Sequence, residues 1–315
     1  MPVRTLLWSL LAVLLAAGGA PADRVVRIGT WKTAQTIQPY FYQSFLGDSV
    51  RCEVVAFTNP ADQKTALLAG SLTLCGTTLA HAIHSAAQGQ PVVVVAALCN
   101  KCSALVVRRD AAVARVDDLR GLRIGYVPGT MHEILLRETL TRSGMSPEKD
   151  VRLTRVDFFD MGTALARGSI DAFLSGEPFP SLALHAGYGR ILAYPYFDDS
   201  VGRINAALLV TRESIACEPE LIQRLVTAHA QASEHLIHNP RQWLAKAAEF
   251  GTPPAVLQRA AENMELAWRM DETFVAHVRA LGARMQALKV IDRQPDYDRL
   301  FDLRFVGRAA RELGR

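Results

Sequence analysis

Long apolar runs are missing from this 315-residue chain beyond its first two dozen positions. A helix across a bilayer needs roughly 20 consecutive apolar residues, so the body of the chain is expected to be soluble. Charge of one sign is also scarce in any one place: 35 Lys and Arg face 31 Asp and Glu, with no run of five or more like charges. That excludes a nucleic-acid arm or a polybasic membrane patch. Cysteines number five, with one close pair and no His-x-x-x-His helix, so a structural zinc site has no ligand set. Gly-x-Ser-x-Gly, Gly-x-x-x-x-Gly-Lys-Ser/Thr and Gly-x-Gly-x-x-Gly are all absent, which removes the sequence marks of a nucleophile elbow, a phosphate loop and a dinucleotide fold. No enzyme class, catalytic residue or cofactor is indicated.

What is present begins with an export signal. Arg4 precedes a mostly apolar run over 6–17, and Gly18, Gly19, Ala20 and Ala22 supply the small residues of a cleavage site. We expect a signal peptide over 1–22, a mature chain from about Asp23 and a periplasmic location. The alternative is a retained amino-terminal anchor.

From Val25 onward, short apolar runs alternate with amphipathic segments, the pattern of α/β folds. Strands are predicted at 25–29, 52–57, 72–75, 92–97, 104–108, 123–126, 151–156, 172–175 and 206–211. Helices are predicted between them, at 61–69, 80–87, 131–143, 161–166 and 180–185. After Thr211 only helices are expected, at 219–238, 240–250, 253–264, 271–288 and from 297, several opening on proline, which suits a first helical turn. The sheets should therefore be complete by about residue 211. The runs 104–108 and 206–211 flank a self-contained block, as if the chain crosses between lobes and returns. The expected division is 23–105 plus 209–315 for one lobe and 106–208 for the other.

Four phrases carry a family resemblance: Lys64-Thr65-Ala66-Leu67-Leu68-Ala69-Gly70-Ser71-Leu72; the stretch 116–126 with its Asp-Asp-Leu-Arg-Gly turn; Ala164-Leu165-Ala166-Arg167-Gly168-Ser169-Ile170-Asp171-Ala172-Phe173; and Gly176-Glu177-Pro178-Phe179-Pro180. In this order, behind an export signal, the chain resembles the periplasmic substrate-binding proteins of the nitrate, sulfonate and taurine type that feed ABC importers. The resemblance implies a two-lobed type II periplasmic-binding fold with two hinge crossings. It also implies a monomer that traps a small-molecule ligand, anionic or sulfur-containing, and delivers it to an inner-membrane permease.

In open α/β sheets, ligands sit beyond the carboxyl ends of strands, where helix starts offer free N–H groups. The strand-to-helix junctions therefore supply the candidates. Thr30 and Trp31 follow the first strand, with an aromatic face to cover a ligand. Thr77 and Thr78 beside Gly76, and Thr130 beside Gly129, offer donors to an anion, although each threonine serves equally as a helix cap. Met131, His132 and Glu177 complete the set; Glu177 would favour an amine, a hydroxyl or a metal.

Cys99 and Cys102 are expected to be bridged, or to contact a thiophilic ligand or soft metal with Cys75, Met131 or His132. Two further alternatives stand beside the importer reading. One is an enzyme like the pyrimidine-precursor synthases of related fold, which use a denser cysteine cluster than this one. The other is an exported sensor domain.

Overall fold

The computed structural model describes residues 24–315; the signal peptide expected over 1–22 lies outside them. Among the described residues no helix is long and apolar enough to cross a membrane. Among the described residues eleven strands form two sheets. The first sheet contains β1 (Arg24–Trp31), β2 (Val50–Phe57), β3 (Leu74–Thr78) and β4 (Val92–Lys101), and the second opens with β5 (Ser103–Arg108), β6 (Arg123–Tyr126), β7 (Arg152–Arg155), β8 (Ala172–Gly176) and β9 (Gly189–Ala193). The chain then returns to the first sheet through β10 (Ile204–Thr211) and β11 (Met264–Leu266).

Strand order is β11-β4-β10-β3-β1-β2 in the first sheet and β7-β6-β8-β5-β9 in the second. In the first sheet β1 runs parallel to β2 and β3, while β10 runs antiparallel to β3 and β4. The second repeats the scheme: β6 is parallel to β7 and β8, and β5 antiparallel to β8 and β9.

Central and edge strands differ as their residues dictate. Val92 to Leu98 is an unbroken apolar run, and β4 is buried along that run, as a strand covered on both faces must be. β2, an edge strand, alternates more exposed and less exposed positions along Val50–Phe57. The helix Pro219–His238 places Ile222, Leu225, Val226, His229 and Leu236 on its buried face at helical spacing. Its His229 is held between the Tyr42 hydroxyl (2.8 Å) and the Ala97 carbonyl (2.8 Å), tying the late helices to the first sheet.

Two expectations need correcting. The chain beyond Thr211 is not purely helical: the helix expected over 253–264 ends at Ala261, and Met264–Leu266 adds an edge strand to β4. The first sheet is therefore completed only there. The crossings also differ, because β5 lies wholly in the second sheet and β10 wholly in the first. The chain passes between sheets at Lys101 and Cys102 and returns within 194–203.

The first crossing is unusual in its backbone. Lys101 and Cys102 adopt φ values of 57° and 80°, which side chains other than glycine rarely take. Neighbours fix it there. Asn205 Nδ2 donates to the Lys101 carbonyl (2.7 Å) and to Cys102 Sγ (2.8 Å), and Asn263 accepts at its carbonyl from the Cys102 N–H (2.8 Å). Asn263 Nδ2 donates in turn to the Ser103 carbonyl at 3.1 Å.

Candidate functional site

Between the two sheets lies a narrow cleft of about 10 Å³, room for about one water as it stands. From the first sheet it is lined by Trp31 at the end of β1, by Thr33 and Gln35 in the turn that follows, and by Thr58 after β2. From the second come His132, Phe158, Phe159, Phe179 and the backbone of Gly176 at the end of β8. Aromatics are 7% of the chain, yet Trp31, Phe158, Phe159 and Phe179 are four of the nine lining residues; this concentration is a property of the site and not of the composition. A wider depression beside His84 and Arg293 lies on one side of the molecule, and another, lined by His84, Gly129, Glu133, Arg137 and Lys289, spans both sides at the surface.

Each wall is braced from behind. Thr30 donates from its hydroxyl to the Thr36 carbonyl (2.7 Å), and the Thr36 hydroxyl donates to the Trp31 carbonyl (3.1 Å), closing the turn that presents Trp31, Thr33 and Gln35. Phe158 and Phe179 stack with planes 7° apart and centroids 6.1 Å apart, and Phe159 meets Phe179 edge-on at 5.0 Å. His132 sets its edge against Phe158 at 5.5 Å, and its Nδ1 lies 3.0 Å from the Ser103 hydroxyl. Gly176 leaves little room for a side chain: a Cβ there would lie 2.9 Å from His132 Nε2 and 3.1 Å from Cys102 Sγ.

The cavity holds no formal charge. None of its lining residues is Asp, Glu, Lys or Arg, and burial lowers the His132 pKa to about 4, leaving the ring neutral at ordinary pH. Two buried polar atoms of the lining, Trp31 Nε1 and Gln35 Oε1, have no hydrogen-bond partner among the described residues. Trp31 is 5% exposed and Gln35 4%. Since buried polar groups are nearly always paired, one donor and one acceptor remain for a guest.

Of the residues singled out from sequence, Trp31 and His132 line the cavity and Thr30 braces it. Thr78 and Thr130 act as caps: the Thr78 hydroxyl accepts from the His81 N–H (3.3 Å) and that of Thr130 from the Glu133 N–H (3.3 Å). Thr77 lies 3.4 Å from His81 Nδ1. Gly129, at φ 72°, passes so close to the same imidazole that a Cβ would sit 2.8 Å from its Nε2, so these residues form a contact between the two halves outside the cavity lining. Met131 is buried in the core.

Glu177 is buried next to the first crossing, accepting from the Ser181 N–H (3.2 Å). Burial pushes its carboxyl up to about 7. It does not line the cavity.

All five cysteines are free, so the expected Cys99–Cys102 bridge is not formed. Cys75 and Cys99 are core residues whose thiols burial pushes up to about 12, and Cys102 is raised well above the usual range by the same cause. Among the described residues no three His, Cys, Asp or Glu side chains gather as metal ligands, so Cys75, Cys99 and Cys102 do not make a metal site.

Sequence reasoning missed Thr33, Gln35, Thr58, Phe158, Phe159, Gly176 and Phe179 as lining residues. The strand-end rule that pointed to Trp31 also applies to the 157–160 segment after β7, which holds Phe158 and Phe159.

Comparison with known proteins places these features in a family. The family described as "NMT1/THI5 like" matches residues 45–243. The nitrate import ATP-binding protein NrtC of Synechococcus elongatus is 35% identical over 115 residues, 36% of this chain; the match spans only 17% of that relative's length. A Brucella abortus protein provisionally named a binding protein is 27% identical over 274 residues, covering 84% of this chain and 83% of its own. Among solved structures, the alkanesulfonate-binding protein SsuA of Xanthomonas axonopodis pv. citri, bound to MOPS, superposes with a TM-score of 0.80 at 21% identity, covering 90% of this chain and all of that one. That likeness establishes the fold.

Proposed function

The chain belongs to the NMT1/THI5-like family, and from that premise we propose that it is the exported solute-binding component of an ABC importer, closing two lobes on one small molecule. The observation that carries this reading is a cavity walled by both sheets, with an unpartnered donor on Trp31 and an unpartnered acceptor on Gln35. A receptacle split between two halves opens and closes when the halves rotate. The crossing at Lys101–Cys102 and the return through 194–203 are the connections about which they would do so. The closed form is what a permease and its ATPase would read, and the similarity to a nitrate import ATP-binding protein and an alkanesulfonate-binding protein supports that partnership.

Among the lining residues His132 is the one titratable side chain, and it is held neutral. A site with neither an activated nucleophile nor a charged acid-base pair is suited to holding a solute rather than to transforming it. The export signal expected over 1–22 supports the periplasm as the place where it does so.

The test is a thermal-shift screen of the mature chain against small organic solutes, anions and sulfonates included. A ligand at 100 times its dissociation constant adds about 2.7 kcal/mol, which raises the melting temperature by several degrees. The response should disappear in Trp31→Ala, and the protein should fractionate with the periplasm. A chain that responds to no solute, or that is recovered folded from the cytosol with residues 1–22 intact, contradicts the proposal.

A further inference from the structure

His132 is the lining residue whose hydrogen-bonding character its covalent structure leaves open. A neutral imidazole carries its proton on either nitrogen, and the other nitrogen then accepts. Burial keeps this ring neutral, with a pKa lowered to about 4. Phe158 meets it edge-on at 5.5 Å with the planes 87° apart, which fixes the plane of the imidazole. Its Nε2 edge passes over Gly176, where a Cβ would lie 2.9 Å from Nε2 and 3.0 Å from Cε1. Gly176 also lines the cleft, so its bare backbone leaves Nε2 uncovered on that side. The other nitrogen, Nδ1, lies 3.0 Å from the Ser103 hydroxyl.

The place of Ser103 is set by the fold. It opens β5 directly after the first crossing, pairs with Gly176 across the sheet, and accepts at its carbonyl from Asn263 Nδ2 at 3.1 Å. Its side chain is buried at 4% exposure, and among the described residues His132 Nδ1 is the one hydrogen-bond partner of its hydroxyl. A buried hydroxyl proton needs an acceptor. Were Nδ1 protonated, it would donate to Ser103 Oγ, and both the Ser103 O–H and the Nε2 lone pair would go unpaired. With Ser103 donating to Nδ1, the Nε2–H alone is left over, and it stands at the cleft.

We propose that Ser103 is a positioning residue: by donating its hydroxyl proton to His132 Nδ1 it holds the ring as the Nε2–H tautomer, and so makes the second lobe's contribution to the cleft a hydrogen-bond donor. Trp31 Nε1 is the unpartnered donor of the first lobe, so a solute closed between the lobes meets an N–H from each. The functional part of this assignment rests on the reading of the cleft as the binding site. The tautomer itself does not.

NMR of the solute-free mature chain with nitrogen-15 labelled histidine reads the tautomer, because protonated and unprotonated ring nitrogens resonate far apart. Signals lost in His132→Gln identify the ring among the eight histidines. In the wild type Nε2–H should exceed Nδ1–H by at least about tenfold, since the alternative leaves a buried donor unpaired. Ser103→Ala should reduce that ratio about fivefold or more, and Ser103→Thr, which keeps the hydroxyl on a residue suited to a strand, should restore it. Ser103→Cys, a weaker donor, should also lower the ratio and serves if the alanine variant does not fold. A wild-type ring protonated on Nδ1 overturns the proposal, and so does a ratio that neither Ser103→Ala nor Ser103→Cys changes. These spectra are recorded without solute, so their outcome is separate from that of the thermal-shift screen: a chain that answers to no solute fails as a binding protein whichever nitrogen carries the proton.

Discussion

An ion cluster that joins a helix on each sheet, beside the return segment 194–203 that holds Asp198 and Ser200, gives a quantitative handle on closure. Glu138, on the helix Met131–Arg142 that packs on the second sheet, is 7% exposed and receives Arg284 Nη1 at 2.6 Å. Arg284 comes from the helix Glu272–Ala287, which packs against the first sheet, and its other nitrogen reaches Asp198 at 2.7 Å and the Ser200 hydroxyl at 2.9 Å. Arg142 pairs with Glu138 from the other side.

Removing one partner of a fully buried pair costs about 3–5 kcal/mol. Arg284 is 27% exposed and Arg142 remains beside Glu138, so Arg284→Ala is expected to cost about 1–2 kcal/mol after discounting for solvent. Because the two helices it joins pack on different sheets, the loss falls on the closed form if the proposed closure holds. Its population relative to the open form should drop about 5–30-fold, and the apparent dissociation constant of any solute should rise by at most that factor.

The assay is small-angle scattering of the solute-free protein, paired with solute titrations. Arg284→Ala should show the larger radius of gyration and the weaker affinity. Glu138→Ala with Arg284→Ala should differ little further from the single variant, the sign of one coupled interaction. A variant that melts earlier but scatters as the wild type does would refute the reasoning, because the ion cluster would then support its own surroundings and not closure.

Three other expectations follow from burial. Burial raises the Glu177 pKa from 4.5 to about 7, so the unfolded chain ionises first; stability is full below about pH 4.5, falls as pH rises to about 7 by up to about 3 kcal/mol, and then levels. Glu177→Gln should flatten that segment in urea unfolding at pH 5 against pH 8; a wild-type carboxylate contribution that grows with pH over this range would contradict it. His81, His132 and His229 are each lowered by burial to about 4, so their contribution is complete above pH 6.5 and is lost as pH falls toward 4, by up to about 3 kcal/mol each. Histidine NMR titrations that show all three protonating near 6.5 in the folded chain would remove that prediction. Finally, Gly176→Ala should abolish solute binding and destabilise by about 1–3 kcal/mol through overpacking against His132 and Cys102, measurable by the same titrations and by thermal unfolding.

How far the sequence reveals this molecule depends on whether a feature is local. The α/β class, the apolar run of β4 and the helices opened by Pro219 and Pro240 follow from periodicity and proline chemistry, which act within a few residues. β9 and β11 were not legible: Gly189–Ala193 and Met264–Leu266 are short, and β11 is strand only because the edge of β4 is there to pair with it. Thr78 and Thr130 show a different ambiguity. A hydroxyl at a helix start looks the same whether it caps its own helix or faces a ligand, and the structure uses both as caps. Trp31 was within reach because it ends a strand. Thr58 and Phe158 follow strand ends in the same way, whereas Gln35 was not legible, since it joins the site only when distant halves of the chain face each other.

The central claim, that two sheet-bearing lobes close over one small guest, is tested most directly by the distance between them in solution. With labels placed on the exposed faces of the two lobes, titrating the solute that gives the largest thermal shift should shorten and narrow the inter-lobe distance distribution at one equivalent. A distribution that stays unchanged while the solute is fully bound would contradict the account.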